Sequence, residues 1–100
     1  MNSLRNKTRR PTHPGAILRE DVLPELKLTQ TEFAERLCVS RRTVSEILHE
    51  LSPVTADMAL RIGKLLGNGP DLWLHMQQAL DLWELEQHPA RYKPIHPVAA

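Results

Sequence analysis

The residues best suited to chemistry lie together in SRRTVSEILH, at residues 40–49. Arg41 and Arg42 each carry a planar guanidinium group, which can donate two parallel hydrogen bonds to the O6 and N7 atoms of guanine. The hydroxyl groups of Thr43 and Ser45 can bond to phosphate oxygens or to base edges. This concentration of hydrogen-bond donors therefore indicates contact with nucleic acid.

A short helix would present these side chains on one face. Val44, Ile47 and Leu48 follow the i, i+3, i+4 spacing of a buried stripe, and Ser40 can cap the start of the helix. With that stripe turned inward, the polar side chains lie on the outward face and at the exposed first turn. The candidate DNA contacts in this segment are Ser40, Arg41, Arg42, Thr43, Ser45, Glu46 and His49.

The preceding segment, TQTEFAERL at residues 29–37, predicts a partner helix. Thr29 and Glu32 have the spacing of a capping box, and Gln30 can reach a phosphate or brace Arg41. Its inward side chains are Phe33, Ala34 and Leu37. Two such helices with a short turn resemble a helix-turn-helix, whose second helix reads base edges with its N-terminal residues. The alternative is a helical pair whose charged outer faces are simply solvated.

Two residues fit this pattern less easily. Helix-turn-helix motifs usually carry glycine in the turn, in a left-handed conformation, and Cys38 at that position would pay a steric cost. The outward carboxylate of Glu46 has three interpretations: it accepts from cytosine N4, pairs with Arg42 four residues earlier, or repels phosphate.

The rest of the chain predicts an all-α fold of five helices in one compact domain, as expected for 100 residues. A first short helix follows Pro14 and is closed by Pro24. Thr55 caps a fourth helix that ends at Gly67, and Pro70 suits the first position of a fifth helix that runs to about residue 87. The predicted organisation is a basic flexible tail at 1–12, a DNA-binding domain with a dimerisation helix at 13–87, and a Pro-containing flexible tail at 88–100.

Charge is distributed unevenly, although the formal net charge is only +1. Residues 13–87 hold seven basic and twelve acidic residues, so nucleic-acid contact must be local. The basic N-terminal tail is either an arm for the minor groove or phosphates, or a solubilising terminus. With no apolar run near twenty residues and no leader-like N-terminus, we expect a cytoplasmic protein without a membrane partner.

Other chemistry is poorly supported. The five histidines have no metal-ligand spacing and there is no cysteine pair, so no metal or other cofactor is expected. Cys38 is expected to be a packed turn residue rather than a nucleophile. Without a phosphate-binding loop or an acid–base pair on one helix face, the sequence predicts neither an enzyme nor a small-molecule substrate.

The fifth helix indicates self-association, because it has two apolar sectors and one small core cannot bury both. The larger sector comprises Leu72, Trp73, Met76, Ala79, Leu80 and Trp83. The opposite sector provides the predicted dimer contacts Leu74, Gln78, Leu82 and Leu85. The alternative is that the C-terminal tail covers this second sector through Tyr92 and Ile95.

The chain resembles HigA-type antitoxins of the XRE, lambda-repressor-like regulators in HPGAILRED at 13–21, LTQTEFAERLCVSRRTVSEIL at 28–48 and SPVTADMALRIGKLLGNGPDLWLHMQQALDLWELE at 52–86. The resemblance implies a homodimer that binds a palindromic operator before its own genes and neutralises a HigB/RelE-like toxin that cuts mRNA. A solitary XRE-type regulator without a toxin is the alternative. Either the acidic fifth helix or the first helix could face the toxin.

Overall fold

The structure is a computed structural model that describes residues 9–99. Its helices, in chain order, are α1 at residues 14–26, α2 at Gln30–Leu37, α3 at Arg41–Leu48, α4 at Ala56–Leu66 and α5 at Asp71–Glu86, followed by a short 3-10 helix at Pro89–Tyr92. Within residues 9–99 there is no strand. The predicted all-α fold of five helices is therefore confirmed. None of the described helices is long and apolar enough to cross a membrane.

Helix α1 continues through Pro24, so the expectation that this proline closes the first helix is wrong. The α-helical Pro14–Ile17 leads into a π-helical segment, Leu18–Val22, and then into α-helical Leu23–Leu26. In the wider turn the N–H of Leu23 donates to the carbonyl of Leu18, five residues earlier. We attribute the π segment to the proline ring, which would clash with the carbonyl four residues before it in a regular α-helix.

The predicted helix boundaries at Thr29, Thr55 and Gly67 are confirmed. The Thr29 hydroxyl accepts from the Glu32 N–H at 3.1 Å, while the Glu32 carboxylate accepts from the Thr29 N–H at 2.9 Å. Hydrogen bonds to the Glu32 carboxylate from the Thr29 backbone N–H and, second, from the Thr29 side chain lower the pKa of Glu32. Thr55 accepts from the N–H of Met58 at 3.2 Å, and Gly67 ends α4 with a left-handed φ of 78°. Local hydrogen bonds thus define each of these ends.

One apolar core joins all five helices. Its buried members are Leu18, Leu23, Phe33, Ala34, Leu37, Val44, Ile47, Leu48, Val54, Met58, Ala59, Ile62 and Trp73. On α5 the buried side chains are Trp73, Gln77 and Leu80, which follow the i, i+4, i+7 spacing of a helix face. Leu72, expected in the buried sector, is 49% exposed, because Gln77 and not Leu72 lies on the face that packs inward.

Candidate nucleic-acid interface

Helices α2 and α3 pack against each other as the sequence predicted. All six residues expected to face inward are buried, namely Phe33, Ala34, Leu37, Val44, Ile47 and Leu48. Ala34 is 2% exposed, as expected for a small side chain between two closely approaching helices. Each helix has eight residues, and the connection from Cys38 to Ser40 has three. The pair therefore has the geometry of a helix-turn-helix.

The turn between the helices begins with strained backbone at Cys38. Its φ of 60° is left-handed, and its N–H donates to the carbonyl of Glu35 at 3.1 Å. The steric cost expected at this position is therefore present. However, the expectation that Cys38 is packed is wrong, since its side chain is exposed and the neighbouring Val39 packs against the core instead.

Ser40 begins α3 as its N-cap, as predicted. The Ser40 hydroxyl oxygen accepts from the N–H of Thr43 at 3.1 Å and lies 2.8 Å from the Thr43 hydroxyl. The cap satisfies one of the free amide groups at the start of the helix. It also couples two of the hydroxyl groups predicted to contact DNA.

The predicted arginine pair projects from the first turn of α3. Arg41 is exposed, and the side chain of Arg42 is 87% exposed. The Nε of Arg42 donates to the carboxylate of Glu46 at 3.2 Å, so the structure shows one of the three arrangements considered for Glu46. Because so much of its side chain is exposed, the guanidinium of Arg42 remains accessible to a ligand.

The remaining candidate contacts differ in their exposure and in their position along the helices. Ser45 and Gln30 are half-buried, Gln30 as the first residue of α2. His49 caps the C-terminal end of α3, where its Nδ1 lies 2.8 Å from the carbonyl oxygen of Ser45 and donates to it in one tautomer. At a rise of 1.5 Å per residue, His49 lies about 12 Å along the helix axis from Arg41. The structure thus groups the arginines with Thr43 at one end and places His49 at the other.

The C-terminal end of α3 is held by Arg19 of helix α1, a residue that the sequence analysis did not single out. Its Nη1 donates to the carbonyl of Leu48 at 2.6 Å and lies 3.4 Å from the carboxylate of Glu50. Its Nε donates to Glu20 at 2.8 Å. The hydrogen bond with Glu20, ahead of that with Glu50, raises the pKa of Arg19.

His13 joins the start of α1 to the loop after α3, a role that the amino-acid sequence did not predict. Its Nδ1 accepts from the N–H of Gly15 at 2.9 Å, so the ring proton lies on Nε2, which donates to the carbonyl of Ser52 at 3.1 Å. Burial lowers the pKa of His13. A Cβ atom on Gly15 would overlap the backbone carbonyl oxygen of Ile47, so α1 and α3 approach closely here.

The second apolar sector of α5 is only partly exposed to solvent. Leu74 packs partly against the core, whereas Gln78 is exposed and Leu82 and Leu85 are 49% and 44% exposed. In the C-terminal tail, Tyr92 and Ile95 are 42% and 71% exposed. Such exposure disfavours the alternative in which the tail buries this sector.

This chain is similar to known proteins both in sequence and in structure. The family described as Helix-turn-helix matches residues 18–73 of this chain. An uncharacterized HTH-type transcriptional regulator of Haemophilus influenzae is 40% identical over 81 residues, covering 81% of this chain and 76% of that protein. Antitoxin HigA-1 of Vibrio cholerae is 36% identical over 81 residues, with coverage of 81% and 76%. The structure of the Pseudomonas aeruginosa antitoxin HigA with the higBA promoter matches with a TM-score of 0.80 at 32% identity, covering 89% of this chain and 99% of that one.

Proposed function

This chain belongs to the XRE-type helix-turn-helix family of DNA-binding proteins, and we propose that it is an antitoxin that also represses its own operon. In this proposal a homodimer binds a palindromic operator in the major groove, in the bacterial cytoplasm, and neutralises a HigB/RelE-like toxin that cleaves mRNA. The observation that carries the proposal is the accessible Arg41–Arg42 pair at the capped start of α3.

The proposed DNA contacts divide by position. Arg41 and Arg42 at the N-terminal end of α3 are placed to donate to guanine O6 and N7, with Glu46 orienting Arg42. Gln30 at the start of α2 is assigned to a phosphate, since N-terminal helix amides favour anions. The other assigned contacts are Ser40, Thr43, Ser45 and His49.

Dimerisation is proposed through α5. Gln78, Leu82 and Leu85 are exposed on its second sector, and Leu74 of the same sector packs partly against the core. A two-fold axis there would present two α3 helices to half-sites about one DNA turn apart. We assign residues 13–87 to this DNA-binding and dimerising unit, between the segments 1–12 and 88–100. Residues 1–8 of the basic segment lie outside the described residues.

The toxin partner is proposed from the relatives. One relative is named antitoxin HigA-1, and a matching structure is named antitoxin HigA with the higBA promoter. The second candidate function is a solitary transcriptional regulator, which the Haemophilus influenzae relative's name as an HTH-type regulator favours. A small basic reading frame beside this gene would favour the antitoxin, and co-purification of its product with this chain would test it.

Replacing Arg42 by alanine tests the DNA-binding assignment. We expect Arg42→Ala to lose about 1–3 kcal/mol of affinity for the cognate operator and to relax base preference at one position. Binding is measured by fluorescence anisotropy on operator duplexes with each base substituted in turn. Lys64→Ala is the matched control, because Lys64 is exposed on α4 and its loss changes the net charge equally. Unchanged affinity and preference in Arg42→Ala would remove the recognition-helix assignment.

A further inference from the structure

Arg61 of helix α4 reaches across to the turn between α2 and α3. Its Nη1 donates to two consecutive backbone carbonyls, that of Leu37 at 2.9 Å and that of Cys38 at 3.2 Å. Its Nε donates to the carboxylate of Asp57, one helical turn earlier, at 2.8 Å. The side chain is 38% exposed, so the guanidinium lies at the edge of the packed core.

This turn needs an external support. The last carbonyls of α2 have no partner within their own helix. Cys38 holds φ at 60°, a conformation that glycine adopts at lower cost, so its backbone is strained. A planar guanidinium that bonds two carbonyls, and is itself oriented by Asp57, opposes relaxation of this strained segment.

The turn determines the direction of α3. Only Val39 separates Cys38 from Ser40, the N-cap of α3, and Arg41 and Arg42 follow immediately. Small rotations at Cys38 are therefore transmitted to the arginine end of the helix. The opposite end of α3 is held separately by Arg19, at the carbonyl of Leu48. Losing the Arg61 contacts would consequently tilt the arginine end while the other end stays attached.

We propose that Arg61 is a positioning residue for base recognition. It does not contact DNA; it holds the turn so that Arg41 and Arg42 meet the base edges at the angle that bidentate bonding requires. This inference rests on the DNA-binding function proposed above. It predicts that Arg61 affects discrimination between sequences more than attraction to phosphates, because phosphate contacts tolerate a displaced guanidinium and bidentate base contacts do not.

The test begins with duplexes that the wild-type protein selects from a random DNA library. Affinity is measured for the selected duplex and for a scrambled duplex of equal length, and their ratio is the discrimination. For Arg61→Met we expect discrimination to fall about tenfold, comparable with loss of one bidentate base contact, while scrambled-duplex affinity is unchanged. Arg61→Lys, whose ammonium lacks the planar fork, should lie between Arg61→Met and wild type. Lys64→Met, on the same helix and exposed, should leave discrimination unchanged.

A second substitution separates positioning from stability. Cys38→Gly relieves the left-handed strain and should raise the thermal midpoint of Arg61→Met without replacing the lost hydrogen bonds. Positioning predicts that the Cys38→Gly, Arg61→Met double variant regains stability and keeps the low discrimination. Recovery of both would overturn the inference, because Arg61 would then act through stability alone. If Arg61→Met does not fold, Arg61→Lys decides, since unchanged discrimination there also overturns the inference. Failure of the wild type to select any sequence would instead overturn the proposed function.

Discussion

At the scale of single residues, α3 is held by side chains from outside the helix-turn-helix. Arg61 donates to the two carbonyls of the turn before α3, and Arg19 donates to the carbonyl of Leu48 at the end of α3. Such bonds between a charged donor and a carbonyl are stronger than neutral ones. His13 adds a hydrogen bond between neutral groups, from the start of α1 to Ser52 in the loop after α3.

The state of His13 gives a pH prediction. Burial lowers its pKa below the ordinary value of 6.5, and the positive charge of Arg10 acts in the same direction, while Glu50, the hydrogen bond to Ser52 and Glu84 oppose them. The unfolded chain therefore takes up this proton first as the pH falls. The contribution of His13 to stability is complete above about pH 6.5 and is lost as the pH falls through the interval down to the folded pKa. Urea unfolding at a series of pH values measures this loss.

His13→Asn is the control for that experiment. Asparagine can still cap the helix with its carbonyl oxygen but does not titrate, so the decline attributed to His13 should be absent in this variant. An equally steep decline in His13→Asn would assign the pH dependence to other groups.

At the scale of elements, Gln77 connects α5 to the loop that precedes α4. Its Oε1 accepts from the N–H of Val54 at 2.8 Å, and its Nε2 donates to Asp81 at 2.8 Å. Gln77 is 7% exposed, and Val54 is a core residue at 2%. The side-chain amide of Gln77 thus provides an acceptor for the buried backbone N–H of Val54, which lies outside the helices.

We expect Gln77→Met to destabilise the fold by about 1–3 kcal/mol, because methionine leaves the Val54 N–H buried without a strong acceptor. Denaturant unfolding at one protein concentration measures the change. His75→Met, on the exposed face of the same helix, should change stability by no more than about 0.5 kcal/mol. Equal stability of the two variants would contradict the assigned role of Gln77.

At the scale of the whole molecule, local chemistry has to overcome the negative charge of residues 13–87, although the formal net charge of the chain is +1. The acidic excess over residues 13–87 repels phosphate at a distance. A dimer that brings the arginine ends of two α3 helices to DNA together would therefore gain more binding affinity than one protomer alone. The surface that we propose for such pairing includes the exposed Leu82 and Leu85 of α5.

A chain that ends at residue 87 tests this arrangement. We expect it to sediment as a dimer, because the C-terminal tail leaves Tyr92 and Ile95 exposed and does not bury the second sector of α5. Leu82→Glu in the full chain should shift the population to monomer, since it places a charge in the proposed interface. A truncated chain that is monomeric at every concentration would instead support the tail as the normal cover.

The sequence by itself determined the features that depend on neighbours along one helix. The caps at Thr29, Ser40 and Thr55 and the buried stripe of Val44, Ile47 and Leu48 are where periodicity predicted them. These features require only interactions within about one helical turn, so the residue types and their spacing suffice. The positive φ at Cys38 was also predictable, because the turn demands that conformation whatever residue occupies it.

Only the tertiary structure decided how α3 is held. The bonds of Arg19 to Leu48, Arg61 to Leu37 and Gln77 to Val54 join residues 29, 24 and 23 positions apart. Each depends on the angle and distance between packed helices, which no local spacing encodes. The same reason explains the burial of Gln77 in place of Leu72: a helix face is chosen by the neighbours that it packs against.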